Sequence, residues 1–132
     1  MMNSKLIQSS GSIFLAVIAL PCIFIPDEVS KNVILAENEY ILLLVQILGG
    51  LLFGFAVVNW MSRTVIMGGI YGKGIYMGNL AQFMVGGLAL LKWNMKNGFP
   101  SGILLVILIG YIIFLVLYLM IFFKSPKMAA EK

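Results

Sequence analysis

The chain has 132 residues, of which 61% are apolar and only 11% are charged. Soluble domains average about 25% charged residues and, at this length, bury only about two-thirds of their surface, so the composition excludes an ordinary water-soluble domain and indicates an integral membrane protein. The absence of histidine and the presence of a single cysteine, Cys22, exclude an internal disulfide and a metal centre built on His and Cys.

Four runs without a charged residue predict the elements of the fold. They cover residues 6–26, 40–62, 74–91 and 97–123, with lengths of 21, 23, 18 and 27 residues. A helix needs about 20 apolar residues to cross the hydrocarbon core, where backbone polar groups must be satisfied within the segment. The runs lack the alternation of apolar and polar residues that marks a barrel strand. We therefore predict an all-α integral membrane protein, an antiparallel up-down bundle of four transmembrane helices at about 6–25, 40–61, 74–91 and 102–123, forming a single domain over residues 1–132.

The charged residues between the runs predict the orientation. If the N-terminus is cytoplasmic, the cations on that side are Lys5, Arg63, Lys73, Lys124, Lys127 and Lys132. The charges on the other side are Lys31, Lys92 and Lys96 with the acidic loop residues Asp27, Glu28, Glu37 and Glu39. Cytoplasmic segments carry an excess of Lys and Arg, so both termini are predicted to be cytoplasmic, and the net charge of +4 reflects this bias rather than nucleic-acid binding. Small size and short loops favour the inner (cytoplasmic) membrane of a bacterium.

Glycines recur at every fourth position on the second and third predicted helices. The two ridges consist of Gln46, Gly50 and Gly54, and of Gly74, Gly78, Gln82 and Gly86. Small residues at this spacing let helix backbones approach closely in lipid. The five glycines and Gln46 are therefore predicted to pack against a helix, either within this chain or in a partner or a second copy.

Besides Gln46, three amide side chains fall within or beside the same two helices. They are Asn59, Asn79 and Gln82. Polar side chains in lipid turn toward the bundle interior and hydrogen-bond one another. These amides either join the helices, line a pocket for a small ligand or a lipid headgroup, or mark a permeation path.

The predicted linker at residues 62–73 carries the cations Arg63 and Lys73 in a glycine-rich context. No Ser or Thr follows Lys73 and the glycine spacing differs from a Walker loop, so a nucleotide site is not indicated. Basic residues beside a membrane attract anionic lipids. The segment is either a flexible linker or a docking site for lipid phosphate or a partner.

Three functional classes follow, and an enzyme is the least favoured. No Asp, Glu or His falls within any of the four runs, whereas intramembrane catalysis needs an acid, a base, a nucleophile or a metal ligand at depth. We expect no catalytic residue, no metal site and no cofactor, although a small enzyme acting at the cytoplasmic face remains a third reading.

The other two classes are transport and binding. Ion-coupled transport usually places an ionisable side chain in the membrane, which this chain lacks, so an oligomeric passive channel or a small-solute transporter subunit is the alternative. The leading interpretation is a non-catalytic lipid- or partner-binding scaffold module. Its expected partners are membrane lipids, another membrane protein, or itself as a homo-oligomer, and not nucleic acid.

Overall fold

The computed structural model describes residues 3–65, 69–99 and 102–124, and over these residues the chain is helical with no strand. The helices, in chain order, are α1 (Ser4–Phe24), α2 (Pro26–Val29), a π-helical turn (Ser30–Ile34), α3 (Glu39–Met61), α4 (Ile70–Asn97) and α5 (Gly102–Lys124). Helices α1, α3, α4 and α5 are each long and apolar enough to cross a membrane. The predicted all-helical fold with four membrane-length helices is confirmed.

Helix α4 is longer at both ends than the charge-free run predicted. It begins at Ile70 and ends at Asn97, where Gly98 adopts a left-handed conformation with φ of 67° and its N–H donates to the Asn94 carbonyl. Residues 70–73 of the predicted linker therefore form the first turn of the helix. Its 28 residues extend about 42 Å, which matches a bilayer with its headgroup regions rather than the hydrocarbon core alone.

Helices α1 and α3 pack closely along their length. Near one end, an added Cβ at Gly49 would lie 2.8 Å from Cys22 Cβ and 3.2 Å from the Ala19 carbonyl oxygen. Further along, Ser12 Oγ donates a hydrogen bond to the Ala56 carbonyl at 2.5 Å. The contacts pair later residues of α1 with earlier residues of α3, so the two helices run in opposite directions. Small residues at the contact let the two backbones approach, as is typical of helices packed in lipid.

Helices α4 and α5 form a second pair, and aromatic side chains join the two pairs. Phe83 is completely buried, with ring centroids 5.4 Å from Phe114 and 5.6 Å from Tyr118 on α5. Phe14 on α1 lies 5.1 Å from Phe114 and 6.0 Å from Tyr111. These separations are typical of favourable aromatic pairs. The core of the bundle is therefore this aromatic seam between two helix pairs.

Candidate functional site

Five buried polar side chains meet inside the bundle, and we refer to them as the amide cluster. They come from all four membrane-length helices and from the turn after α3: Gln8, Asn59, Ser62, Asn79 and Tyr118. Asn59 and Asn79 have no exposed surface, and the most exposed member, Ser62, is 8% exposed. The cluster is therefore shielded from both lipid and water.

Asn59 and Asn79 form its centre, through two reciprocal hydrogen bonds. Asn59 Nδ2 donates to Asn79 Oδ1 at 2.7 Å, and Asn79 Nδ2 donates to Asn59 Oδ1 at 2.6 Å. Asn79 Nδ2 also donates to the Ile75 carbonyl, four residues earlier, at 2.9 Å. The pair joins α3 to α4, and each carboxamide oxygen and nitrogen of the pair has a hydrogen-bond partner within the chain.

Gln8 extends the cluster to the other two helices. Its Nε2 donates to Ser62 Oγ at 2.8 Å and, at 3.4 Å, to Asn59 Oδ1. The Tyr118 hydroxyl donates to Gln8 Oε1 at 3.4 Å. One connected set of side-chain hydrogen bonds thus links α1, α3, α4 and α5. Buried polar networks of this kind favour a single arrangement of the elements that contribute to them.

Helical periodicity explains why these amides face inward. On α3 the buried residues recur at intervals of three or four, and Asn59 ends the series: Val45, Gly49, Leu52, Ala56 and Asn59. On α4 the buried residues before Gly87 follow the same spacing, and Asn79 is central to the series: Gly72, Tyr76, Asn79 and Phe83. Each amide therefore occupies a core position of an otherwise apolar stripe.

Gln82 lies outside this cluster. It is half-buried, and its Nε2 donates to the Tyr111 hydroxyl at 2.9 Å. Its Oε1 is buried without a hydrogen-bond partner among the atoms described. One turn further along α4, an added Cβ at Gly86 would lie 2.5 Å from the Tyr111 ring. Gln82 and Gly86 therefore pack α4 against α5, and Gln82 does not line a common pocket with Asn59 and Asn79.

The two cations predicted from the linker also lie apart from the amides. The Arg63 guanidinium carbon lies 4.3 Å from the Trp60 ring centroid, and its Nη1 donates to the Trp60 carbonyl at 2.6 Å. Lys73 is exposed in the first turn of α4. Neither side chain forms a hydrogen bond with the amide cluster within the part of the chain that the structure describes. The five predicted ligand-binding residues therefore do not converge on one site.

The predicted packing glycines divide into two groups. Gly86 contacts Tyr111 closely, and Gly78 would make an ordinary contact with Phe55 at 3.7 Å. Among the atoms of the described residues, an added Cβ would meet nothing within 4 Å at the other three, which are Gly50, Gly54 and Gly74. Among the described residues, these three glycines have no neighbour that would make their predicted packing intramolecular. Their packing against a partner or a second copy stays a prediction.

The face of α3 with Gly50 and Gly54 also carries Gln46, which is exposed. The Gln46 side chain takes part in none of the hydrogen bonds formed among the described residues. The α1–α3 contact uses Gly49 instead. Adjacent helical residues point about 100° apart. The four-residue spacing therefore showed that Gln46, Gly50 and Gly54 share one face of α3, but not whether that face points toward α1.

Comparisons with protein-family models, with curated proteins and with solved structures found no match to this chain. The chemistry of the site is therefore inferred from the side chains that form it. The amide cluster contains hydroxyl and carboxamide groups, which hydrogen-bond well but do not ionise readily. Its side-chain hydrogen bonds link the four membrane-length helices.

Proposed function

We propose that this protein is a non-catalytic module of the bilayer that binds a transmembrane helix of another membrane protein, or of a second copy, on the outer face of α3. We call the strip formed by Gln46, Gly50 and Gly54 the α3 face. The observation that supports the proposal is the exposure of Gln46 within a membrane-length helix. The amides of the cluster, by contrast, are buried and hydrogen-bonded to one another.

The depth of Gln46 gives this contrast its weight. Gln46 lies seven residues after Glu39, the first residue of α3, which is about 10 Å along the helix axis. An unsatisfied carboxamide in hydrocarbon is costly, and transmembrane helices relieve that cost by hydrogen-bonding to another helix. Gly50 and Gly54, one and two turns further on, leave open space into which a neighbouring backbone can fit.

We further propose that the helices cross the membrane in an antiparallel up-down arrangement, with both termini in the cytoplasm. The hydrogen bonds of the amide cluster support this arrangement, because they connect the parts of the four helices that lie nearest one set of cations: Lys5, Arg63, Lys73 and Lys124. No acidic residue of the described chain lies at that end of the bundle. Lys127 and Lys132, which the sequence also predicts on the cytoplasmic side, lie outside the described residues. Positive-inside bias supports a cytoplasmic position for the cationic end, and the size of the protein favours a bacterial inner membrane.

An oligomeric passive channel receives less support from the geometry. Such a pore needs polar side chains that face its axis, and Gln8, Asn59 and Asn79 are occupied inside a single chain. Gln46 alone would contribute a single polar ring. We therefore rank helix binding first.

Two substitutions on the α3 face test the proposal, with a third as their control. We expect Gln46→Leu and Gly50→Leu to reduce the fraction of protein that keeps its partner or second copy, measured by native mass spectrometry from mild detergent. An interhelical amide contact contributes about 0.6–1.7 kcal/mol, so Gln46→Leu should weaken the complex roughly 3- to 20-fold. Gly74→Leu changes an equally open glycine on another helix and should have no effect. A wild-type protein found only as a free monomer, or equal losses in all three variants, would refute the proposal.

A further inference from the structure

A cleft of about 390 Å³ lies on α5 near its C-terminal end, and we call it the α5 cleft. Its lining residues are Val116, Leu119, Met120, Phe123 and Lys124. Their spacing of three, one, three and one residues places them along one side of the helix. Four of the lining residues are apolar, and the fifth, Lys124, carries an ammonium group at the end of the span.

The surroundings of the α5 cleft are positively charged. Tyr118, on the same stretch of α5, hydrogen-bonds to Gln8, and Gln8 hydrogen-bonds to Ser62, the residue before Arg63. Lys124 therefore lies at the end of the bundle that carries Lys5 and Arg63. The described acidic residues lie at the opposite end, where Asp27, Glu28, Glu37 and Glu39 line a cavity of about 400 Å³. An anion in the α5 cleft would contact Lys124, at an end of the bundle that carries other cations and no carboxylate of the described chain.

We propose that the α5 cleft binds one anionic phospholipid, with an acyl chain against its apolar walls and the phosphate at Lys124. The apolar lining residues belong to a membrane-length helix, and the outer surface of such a helix is in contact with lipid acyl chains. A lysine at the end of a span reaches to headgroup level, where it attracts anionic lipids. This site is on a different helix from the α3 face and does not depend on the proposed partner.

A purely structural role for Lys124 makes a different prediction. Lys124 lies in the last turn of α5, where a cation also interacts favourably with the unpaired carbonyls of the helix end. That role would stabilise the helix equally in any lipid. The preference for one headgroup over another therefore separates the two explanations.

The experiment uses the full-length chain in detergent micelles containing equal amounts of phosphatidylglycerol and phosphatidylcholine, and native mass spectrometry counts the retained lipids. We expect the wild type to retain phosphatidylglycerol preferentially. Lys124→Gln should lower that preference about five-fold, the effect of one lysine near a membrane surface. Lys96→Gln is the matched control, because Lys96 is also an exposed lysine in the last turn of a membrane-length helix, and it should leave the preference unchanged.

A second variant tests the apolar part of the α5 cleft. Met120→Trp should fill it and lower the number of retained phosphatidylglycerol molecules without altering any charge. Equal retention of the two lipids by the wild type, or an unchanged ratio in Lys124→Gln, would overturn the proposal. Gln46→Leu should keep the wild-type lipid preference while retaining less of its partner, so that failure of this site and failure of the α3 face are distinguishable.

Discussion

At the scale of single residues, Asn59 and Asn79 form the one reciprocal pair of side-chain hydrogen bonds among the described residues. Each carboxamide donates to the other at 2.6–2.7 Å, in a place where neither can turn to water. Interhelical hydrogen bonds in membranes contribute modestly on average, because the separated helices also find partners. Losing one member of the pair is more costly, because the remaining amide stays buried and loses acceptor or donor contacts.

A double-mutant cycle tests this pair. We expect Asn59→Leu and Asn79→Leu each to lower the free energy of unfolding by about 1–3 kcal/mol. The double variant should lose less than the sum, with a coupling of roughly 0.6–1.7 kcal/mol. Unfolding of the purified protein by SDS in mild detergent provides the measurement.

The control cycle pairs Asn79→Leu with Gln82→Leu. These two side chains have different hydrogen-bond partners, so their effects should add more nearly. Strict additivity for Asn59 with Asn79 would contradict the reciprocal hydrogen bonds.

The sequence predicted that Asn59 and Asn79 face the interior, because a carboxamide that faces lipid hydrocarbon has no hydrogen-bond partner there. It did not predict the contribution of Gln8 and Ser62. Gln8 lies close to the start of the first span, where a polar residue also fits the headgroup region, and Ser62 falls in the predicted linker. Both were recognisable only once α1 and α3 had been placed side by side with their ends in register.

At the scale of the helices, the α1–α3 contact depends on which of two adjacent glycines faces inward. Gly49 faces α1, and Gly50 faces outward. Both positions are helical, so the pair provides matched substitutions on one helix. The difference between them measures the packing of α1 on α3 alone.

We expect Gly49→Ala to lower the free energy of unfolding by about 1–3 kcal/mol. The added methyl group would lie 2.8 Å from Cys22 Cβ and 3.2 Å from a backbone oxygen of α1, and helix backbones yield little to such overpacking. Gly50→Ala, with no atom within 4 Å of the new Cβ, should leave stability unchanged or raise it slightly. SDS unfolding of both variants would show the opposite order if α3 were rotated relative to α1.

Helix α4 shows a second limit of sequence patterns at this scale. Lys73 and Lys92 bound the charge-free run, yet both lie inside the helix. A charge marks where the hydrocarbon ends, whereas a helix can continue through the headgroups as long as its backbone hydrogen bonds are made. Gly98, which has a positive φ, marks the C-terminal end of α4 more closely than Lys92 does.

At the scale of the whole molecule, the number of membrane-length helices followed from charge spacing. The pairing of α1 with α3 and of α4 with α5 did not follow from chain order, since α3 and α4 are also consecutive among the long helices but pack little against each other. The aromatic seam between the pairs was not predicted. Phe14, Phe83 and Phe114 are indistinguishable in sequence from the many phenylalanines and leucines that face outward, because every face of a helix in lipid is apolar.

The proposed topology has four membrane crossings with the cationic end of the bundle in the cytoplasm. The most direct measurement labels single cysteines, introduced in a Cys22→Ala background, with a membrane-impermeant maleimide on right-side-out membrane vesicles. Cysteines at positions 37 and 96 should react in sealed vesicles. Cysteines at positions 5 and 73 should react only after the membrane is permeabilised. Labelling of all four positions from one side, or of position 5 from the side opposite to position 73, would contradict the four crossings.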